Sequence, residues 1–241
     1  MAQTAFLAHL LTTGDILCLA CAHACKLSEG EYGICGVRHV QNGELKLLTY
    51  GRVAALNIDP IEKKPLFHFL PASPSLSLSP VMCHLSCTFC QNHEISQYPK
   101  EHDHQIIGQH LSPKQIVDLA LHHGCESISY TYNEPVVSFE YTYDTAVLAK
   151  EKSIKNVYVT SGFETKKATK LLSSCIEGMN IDLKSFRDEF YQTICGARLK
   201  PVLETIDYAK ELGIWVEITT LIIPGHNDTP QELEHIDYRK G

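Results

Sequence analysis

Apolar and polar positions divide the chain into two unlike parts. In the first, apolar residues come in short runs. Residues 37–40 and 45–50 flank Asn42-Gly43, a two-residue turn signal that predicts a β-hairpin. A further strand is expected over residues 53–58. Residues 59–71 mix charges, prolines and aromatics, which reads as an irregular connection carrying Lys63 and Lys64 as a solvated pair. Pro71-Ala72-Ser73-Pro74 then marks a boundary. The expected division is a small N-terminal β module over residues 1–72 and a larger unit over residues 73–241.

In the second part strands and helices alternate. Leu76 and Leu78 alternate with Ser75, Ser77 and Ser79, the period of a half-buried strand. Ser112, Pro113 and Gln115 form a capping-box start to a helix, with Ile116, Val117 and Ala120 on one face and Gly124 beyond its end. Strands are expected at 127–131, 157–160, 179–183 and 214–223. Helices are expected at 136–152, at the face of Ala168, Leu171, Leu172 and Cys175, at 187–195, at 201–212, and from a second capping box at Thr229 and Glu232. Repeated strand–helix units favour a parallel sheet with right-handed crossovers. Five such strands do not comfortably close a barrel, so the fold class expected is α/β, an open or partial (β/α) barrel behind a small β module.

Composition narrows the partners. The formal net charge is -7, which gives no general pull toward nucleic acid or an anionic membrane. Residues 1–15 lack a basic start and a long apolar run, and no stretch reaches the roughly 20 apolar residues of a membrane span. The expectation is a cytoplasmic protein without nucleic-acid or membrane partners. In a reducing compartment, ten cysteines more often hold metal than form disulfides. Cys125, Cys175 and Cys195 stand alone and read as small buried residues. His102, His104, His110, His122 and His123 are irregularly spaced and read as solvated.

The other thiols form two groups. Cys18, Cys21, Cys25 and Cys35 are spaced x2, x3 and x9, with Gly30, Gly33 and Gly36 near the last. Four thiolates can close a tetrahedral zinc shell or ligate an iron–sulfur cluster. His23 between them reads as solvated rather than as a ligand. Cys83, Cys87 and Cys90 are spaced x3 and x2 on one loop after the Leu76–Leu78 strand. Three thiols can hold three irons of a cubane and leave the fourth open, or join His93 in a Cys3His zinc site. The strand–helix repeats favour iron. Asn133, Glu134, Ser161, Asp182 and Lys184 fall at or just past strand ends, where parallel sheets bind ligands, on the rim of the cysteine loop.

Cys83-x3-Cys87-x2-Cys90, with Phe89 before the last thiol, resembles the signature of radical S-adenosylmethionine (SAM) enzymes. Gly33-Ile34-Cys35-Gly36-Val37-Arg38, Asp59-Pro60-Ile61-Glu62-Lys63-Lys64-Pro65-Leu66, Phe89-Cys90-Gln91-Asn92, Thr131-Tyr132-Asn133-Glu134-Pro135 and Ile223-Pro224-Gly225-His226-Asn227-Asp228 resemble the AmmeMemoRadiSam-system radical SAM proteins, akin to pyruvate formate-lyase activating enzymes. The resemblance covers roughly residues 15 to 235.

It implies a 4Fe-4S cluster on Cys83, Cys87 and Cys90 whose open iron chelates SAM, and reductive cleavage to a 5′-deoxyadenosyl radical that abstracts hydrogen from a protein or small molecule. A ferredoxin or flavodoxin would supply the electron. Glu134 would meet the cofactor's ammonium, Phe89 the adenine and Ser161 the cofactor from the third strand. Asp182 and Lys184 match a strand-end Asp-x-Lys that meets cofactor or substrate. The family usually has Gly before the first cluster cysteine and Asn after it, where this chain has Met82 and His84. Relatives continue with a sixth strand where this sequence ends at Gly241, so a shortened barrel is expected, with a non-catalytic metal-stabilised protein as the alternative to an enzyme.

Overall fold

The structure, a computed structural model, describes residues 2–240, and the side chains of residues 2–236. Its largest sheet has six strands: β1 (Ala55–Pro60), β2 (Pro74–Ser79), β3 (Ser127–Tyr130), β4 (Lys155–Thr160), β5 (Gly178–Asp182) and β6 (Trp215–Thr219), in the spatial order 6-5-4-3-2-1. Strands β2 to β6 are parallel, as the strand–helix alternation predicts, and β1 lies antiparallel on β2. β1 comes from the stretch expected in the N-terminal module, so the large sheet continues across residue 72.

Helices α1 (Pro113–His122), α2 (Phe139–Glu151), α3 (Lys166–Leu172), α4 (Leu199–Glu211) and α5 (Pro230–Lys240) follow successive strands. α1 begins at a complete capping box, with the Ser112 side chain accepting from the Gln115 N–H and the Gln115 side chain accepting from the Ser112 N–H. Ile116, Val117 and Ala120 are fully buried beneath it, at roughly 1.5–3 kcal/mol for each of the two larger side chains. α5 keeps only half of its expected box: the Glu232 N–H donates to Thr229, while the Glu232 carboxylate turns to Ser185, Arg187 and the Phe186 N–H.

Three expectations are corrected by packing. The strand expected over 214–223 stops at Thr219, because residues 221–223 turn away to carry Asn227. The helix expected at 187–195 is one short α-turn, Asp188–Phe190, running into a π-turn, Tyr191–Cys195. β2 is buried on both faces rather than half-buried. Leu76 and Leu78 join the main apolar core shared with α1 and α2. Ser75 bonds Ser129 across the strands at 2.5 Å on the other face.

That helix-free face is covered by the connection between β1 and β2. Ile61 and Leu66, with Phe69 beside them, pack on Val157 and Val159 of β4, Asn180 of β5 donates to the Pro65 carbonyl at 3.0 Å, and the Phe69 ring lies over Gly178. Lys64, expected in solvent, is 2% exposed. Its ammonium meets Asp59 at 2.8 Å and stands 4.7 Å from the Tyr132 ring centre. The Asp59 carboxylate is held below the ordinary range: burial opposes its charge, but bonds from Lys64, Lys63 and Tyr132 outweigh burial.

The N-terminal strands form the predicted hairpin, Arg38–Gln41 with Glu44–Leu47, turned by Asn42 at φ 54° and Gly43 at φ 72°. A separate three-stranded sheet, Ala8–Leu10, Ile16–Cys18 and Lys26–Leu27, carries the first cysteines. The module is pinned to α2 by Arg38, whose guanidinium is 2% exposed and meets the Glu140 carboxylate at 2.6 Å.

Candidate active site

Cys83, Cys87 and Cys90 line one cavity of about 410 Å³ at the carboxyl end of the parallel strands. The loop that carries them is short and held at several points. The Ser86 N–H bonds the Cys195 carbonyl at 2.9 Å, and the Thr88 N–H bonds the Ile194 carbonyl at 3.1 Å. The π-turn thus holds the chain on both sides of Cys87. Gly196, at φ 69°, closes that turn directly against Ser86, where a β-carbon would stand 2.5 Å from the serine oxygen. The Gln97 and Lys100 side chains both donate to the Leu85 carbonyl, at 3.1 Å each.

The thiols sit in different surroundings. Cys83 is 8% exposed and accepts the Leu85 N–H at 3.3 Å. Burial, with the Glu134 carboxylate nearby, pushes that thiol well up. Cys87 moves the other way: its neighbour Cys195 hydrogen-bonds to it, and Lys184 adds positive charge. Cys195, expected to be an isolated buried residue, is in fact set against a cluster-loop thiol. His93 is 57% exposed and bonds Glu101 at 2.9 Å, so the Cys3His shell is not assembled. Among the described residues, no three His, Cys, Asp or Glu side chains have the spacing of ligands to one ion. Cubane thiolates bind separate irons.

Glu134 lies on the same cavity wall. One carboxylate oxygen accepts the Ser161 N–H at 2.8 Å and the other accepts the Thr160 hydroxyl at 3.0 Å. Thr160 stands at the end of β4 and also meets Glu164, at 2.6 Å. Burial pushes Glu134 up to about 7 and Glu164 up to about 8. His84 packs behind them, buried, with neither ring nitrogen hydrogen-bonded among the described groups. A buried carboxylate facing a cavity suits a cationic group there, and a three-thiol loop beside it suits a metal cluster. The residues present therefore fit a cluster that binds an ammonium-bearing cofactor.

The structure brings most of the sequence-derived residues together. Phe89, Asp182 and Lys184 line the cavity. The Lys184 ammonium meets Asp182 at 3.0 Å and lies 5.9 Å from the Phe89 ring centre. Burial alone would weaken the Lys184 charge, but Asp182 and Cys87 more than restore it, so its pKa lies above the usual lysine range. Ser161 is placed differently from its expectation: it is buried behind the wall, and its N–H fixes Glu134. Sequence reasoning missed Thr160, Glu164, Cys195 and Asn180. Only the strand-end position of Thr160 offered a signal: Cys195 and Asn180 depend on contacts distant in sequence, and Glu164 joins the site through Thr160.

Of Cys18, Cys21, Cys25 and Cys35, the sulfurs of Cys25 and Cys35 both lie within 4 Å of where a β-carbon of Gly33 would stand. His23, expected in solvent, is half-buried and bonds the His84 carbonyl at 3.0 Å. No helix among the described residues is long and apolar enough to cross a membrane.

A strand-end cavity with three thiols on the loop after the first parallel strand defines a class of cluster-dependent enzyme. The radical SAM superfamily model matches residues 79–237. The chain belongs to the radical SAM superfamily, whose chemistry uses a 4Fe-4S cluster and SAM. An uncharacterized protein of Methanocaldococcus jannaschii is 45% identical over 223 residues, 92% of this chain and 65% of that protein. A GTP 3′,8-cyclase of Listeria welshimeri is 27% identical over 154 residues, 61% of this chain and 44% of the enzyme. The chain thus spans less than two thirds of either relative. Streptococcus suis SuiB bound to S-adenosylmethionine shares the fold, with a TM-score of 0.51 and 17% identity over 66% of this chain and 36% of SuiB.

Proposed function

We propose that this chain carries the catalytic unit of an AmmeMemoRadiSam-type radical SAM enzyme, activating-enzyme-like, acting on a protein or small-molecule substrate. The carrying observation is the convergence of Cys83, Cys87 and Cys90 with the buried Glu134 carboxylate on one cavity. In this reading the three thiolates hold a 4Fe-4S cluster, and Glu134 receives the SAM ammonium. When bound, cluster and cofactor together supply, through one-electron reductive cleavage, the carbon radical that abstracts hydrogen. Phe89 offers an apolar face to the adenine, and the Asp182–Lys184 pair orients polar groups of cofactor or substrate. The Cys-rich part that precedes β1 acts as a module beside the barrel unit, whose sheet includes β1. Cys18, Cys21, Cys25 and Cys35 bind zinc or a second iron–sulfur cluster. A ferredoxin or flavodoxin of the cytoplasm serves as electron donor.

The test is anaerobic reconstitution with iron and sulfide, followed by SAM and a strong reductant. Formation of 5′-deoxyadenosine and methionine, lost in Cys83→Ala, supports the reading. A cluster that binds but yields no 5′-deoxyadenosine points to the non-catalytic alternative.

A further inference from the structure

Charge on the cavity wall is not balanced. Among the described residues that line it, Lys63, Lys64 and Lys184 are cationic, while Glu134 and Asp182 are anionic. Lys184 is matched by Asp182 at 3.0 Å. Lys63 and Lys64 share a single carboxylate: Asp59 meets the Lys63 ammonium at 2.9 Å and that of Lys64 at 2.8 Å. One lysine would neutralise Asp59, which also accepts a bond from the Tyr132 hydroxyl at 2.9 Å. The trio therefore keeps one positive charge in excess, on the connection between β1 and β2. Lys64 holds its share of that charge at 2% exposure, where a cation without a matching anion is unfavourable. A purely structural ion pair needs one cation; two on one acid leave a place for a second anion.

Hydrogen-bonding capacity is left over on the same wall. Asn133 and Asn180 each have a buried amide oxygen with no hydrogen-bond partner among the described groups. Asn133 adjoins Glu134, the residue assigned above to the cofactor ammonium. Asn180 stands with the lysine-bearing connection. Its Nδ2 donates to the Pro65 carbonyl at 3.0 Å and to the Thr219 hydroxyl oxygen at 2.8 Å. Those bonds fix which way the amide faces and leave Oδ1 as an open acceptor. Thr219 lines the cavity too, and a hydroxyl that accepts from Asn180 still has a proton to give. A buried acceptor without a donor is unfavourable, so a ligand that supplies one is favoured.

We propose that Lys63, Lys64, Asn180 and Thr219 form a substrate subsite for a small carboxylic acid that carries a hydroxyl or N–H donor next to its carboxylate. The two ammoniums take the carboxylate, and the Thr219 hydroxyl adds a hydrogen bond to it. Asn180 Oδ1 accepts from the neighbouring donor. Inorganic phosphate would satisfy the lysines less selectively, and a neutral molecule would leave the excess charge unmatched. The cavity, about 410 Å³ and shared with the thiols, suits a small acid rather than a folded segment. That the acid is the substrate rests on the function proposed above, whereas its binding does not.

The experiment titrates the full chain, without cluster or cofactor, with glycolate, acetate and inorganic phosphate at matched ionic strength, followed by NMR chemical shifts. Saturable glycolate binding is expected, with shifts at residues 63–66 and 180, and about threefold or more tighter than acetate or phosphate. Lys63→Gln and Lys64→Gln should each weaken it about tenfold. The Lys63 side chain is 68% exposed, so its variant keeps the test open if Lys64→Gln does not fold. Lys114→Gln, at an exposed lysine paired with Asp118 on α1, should leave binding unchanged. Absence of saturable binding, or glycolate affinity untouched by Lys63→Gln, overturns the subsite. Acetate or phosphate binding as tightly as glycolate overturns the assigned ligand class. No turnover is read, so failure of the 5′-deoxyadenosine assay leaves these results standing. Lost glycolate binding in a chain that still makes 5′-deoxyadenosine strikes the subsite alone.

Discussion

At the scale of single residues, the cavity wall depends on a few buried polar groups rather than on the thiols alone. Glu134 is held by Ser161 and Thr160 with its carboxylate on the cavity. Glu134→Gln keeps the shape and removes the charge, and charged hydrogen bonds contribute about 1.5–3 kcal/mol. SAM should bind roughly ten- to a hundredfold more weakly to the reconstituted variant, as equilibrium titration can measure. Gly162 shows how little room lies behind this wall. Its φ is 74°, and a β-carbon there would stand 2.8 Å from the Ile181 side chain. Gly162→Ala should cost about 1–3 kcal/mol in urea unfolding, and an unchanged midpoint would contradict the crowding. The cluster loop was legible in the sequence because its information is spacing within eight residues. Lys64 was misread because its burial comes from β1 joining the large sheet and from Tyr132, 68 residues away (132 − 64), covering it.

At the scale of elements, parallel strands and α1 could be read from period and capping, whereas the π-turn could not. Residues 187–195 look helical in sequence, but the turn widens where it meets Ser86 and Thr88, a contact that no local pattern encodes. α5 docks through apolar Ile236 in the main core and through one buried carboxylate. Glu232 is 3% exposed and satisfies Ser185, the Phe186 N–H and Arg187 together. Removing it in Glu232→Ala strands three donors, so a loss of about 2–4 kcal/mol is expected, with faster hydrogen exchange in α5. Burial opposes the charge of Glu232, but its bonds to Ser185, Arg187 and Phe186 prevail and hold its pKa below the usual value. A lowered carboxylate pKa contributes stability that is present above the unfolded value of about 4.3 and lost as pH falls through the folded one. Between pH 7 and about pH 3, wild type should therefore lose more stability than Glu232→Gln, measured by the denaturation midpoint.

Across the whole molecule, one contiguous set of buried apolar residues runs from Ala5 in the module to Ile236 in α5. The Arg38–Glu140 pair crosses the same junction. Breaking such a pair from one side leaves a buried charge and costs about 3–5 kcal/mol. Glu140→Ala should lower the urea midpoint accordingly, and module and barrel should still unfold in one transition when followed separately by far-UV circular dichroism and Trp215 fluorescence. Two transitions would mean the shared core does not couple them. The connection between β1 and β2 has a different bearing. Lys64 and Pro65 form part of the cavity wall, and the chain around them packs on the helix-free face of the sheet through Ile61, Leu66 and Phe69. The bottom of the cavity is thus a single length of connecting chain laid over Val157, Val159 and Gly178. Lengthening or shortening that one connection would deepen or fill the cavity without moving a strand, a thiol or Glu134, so the space offered to a ligand can change while the thiols and the carboxylate that face it stay fixed.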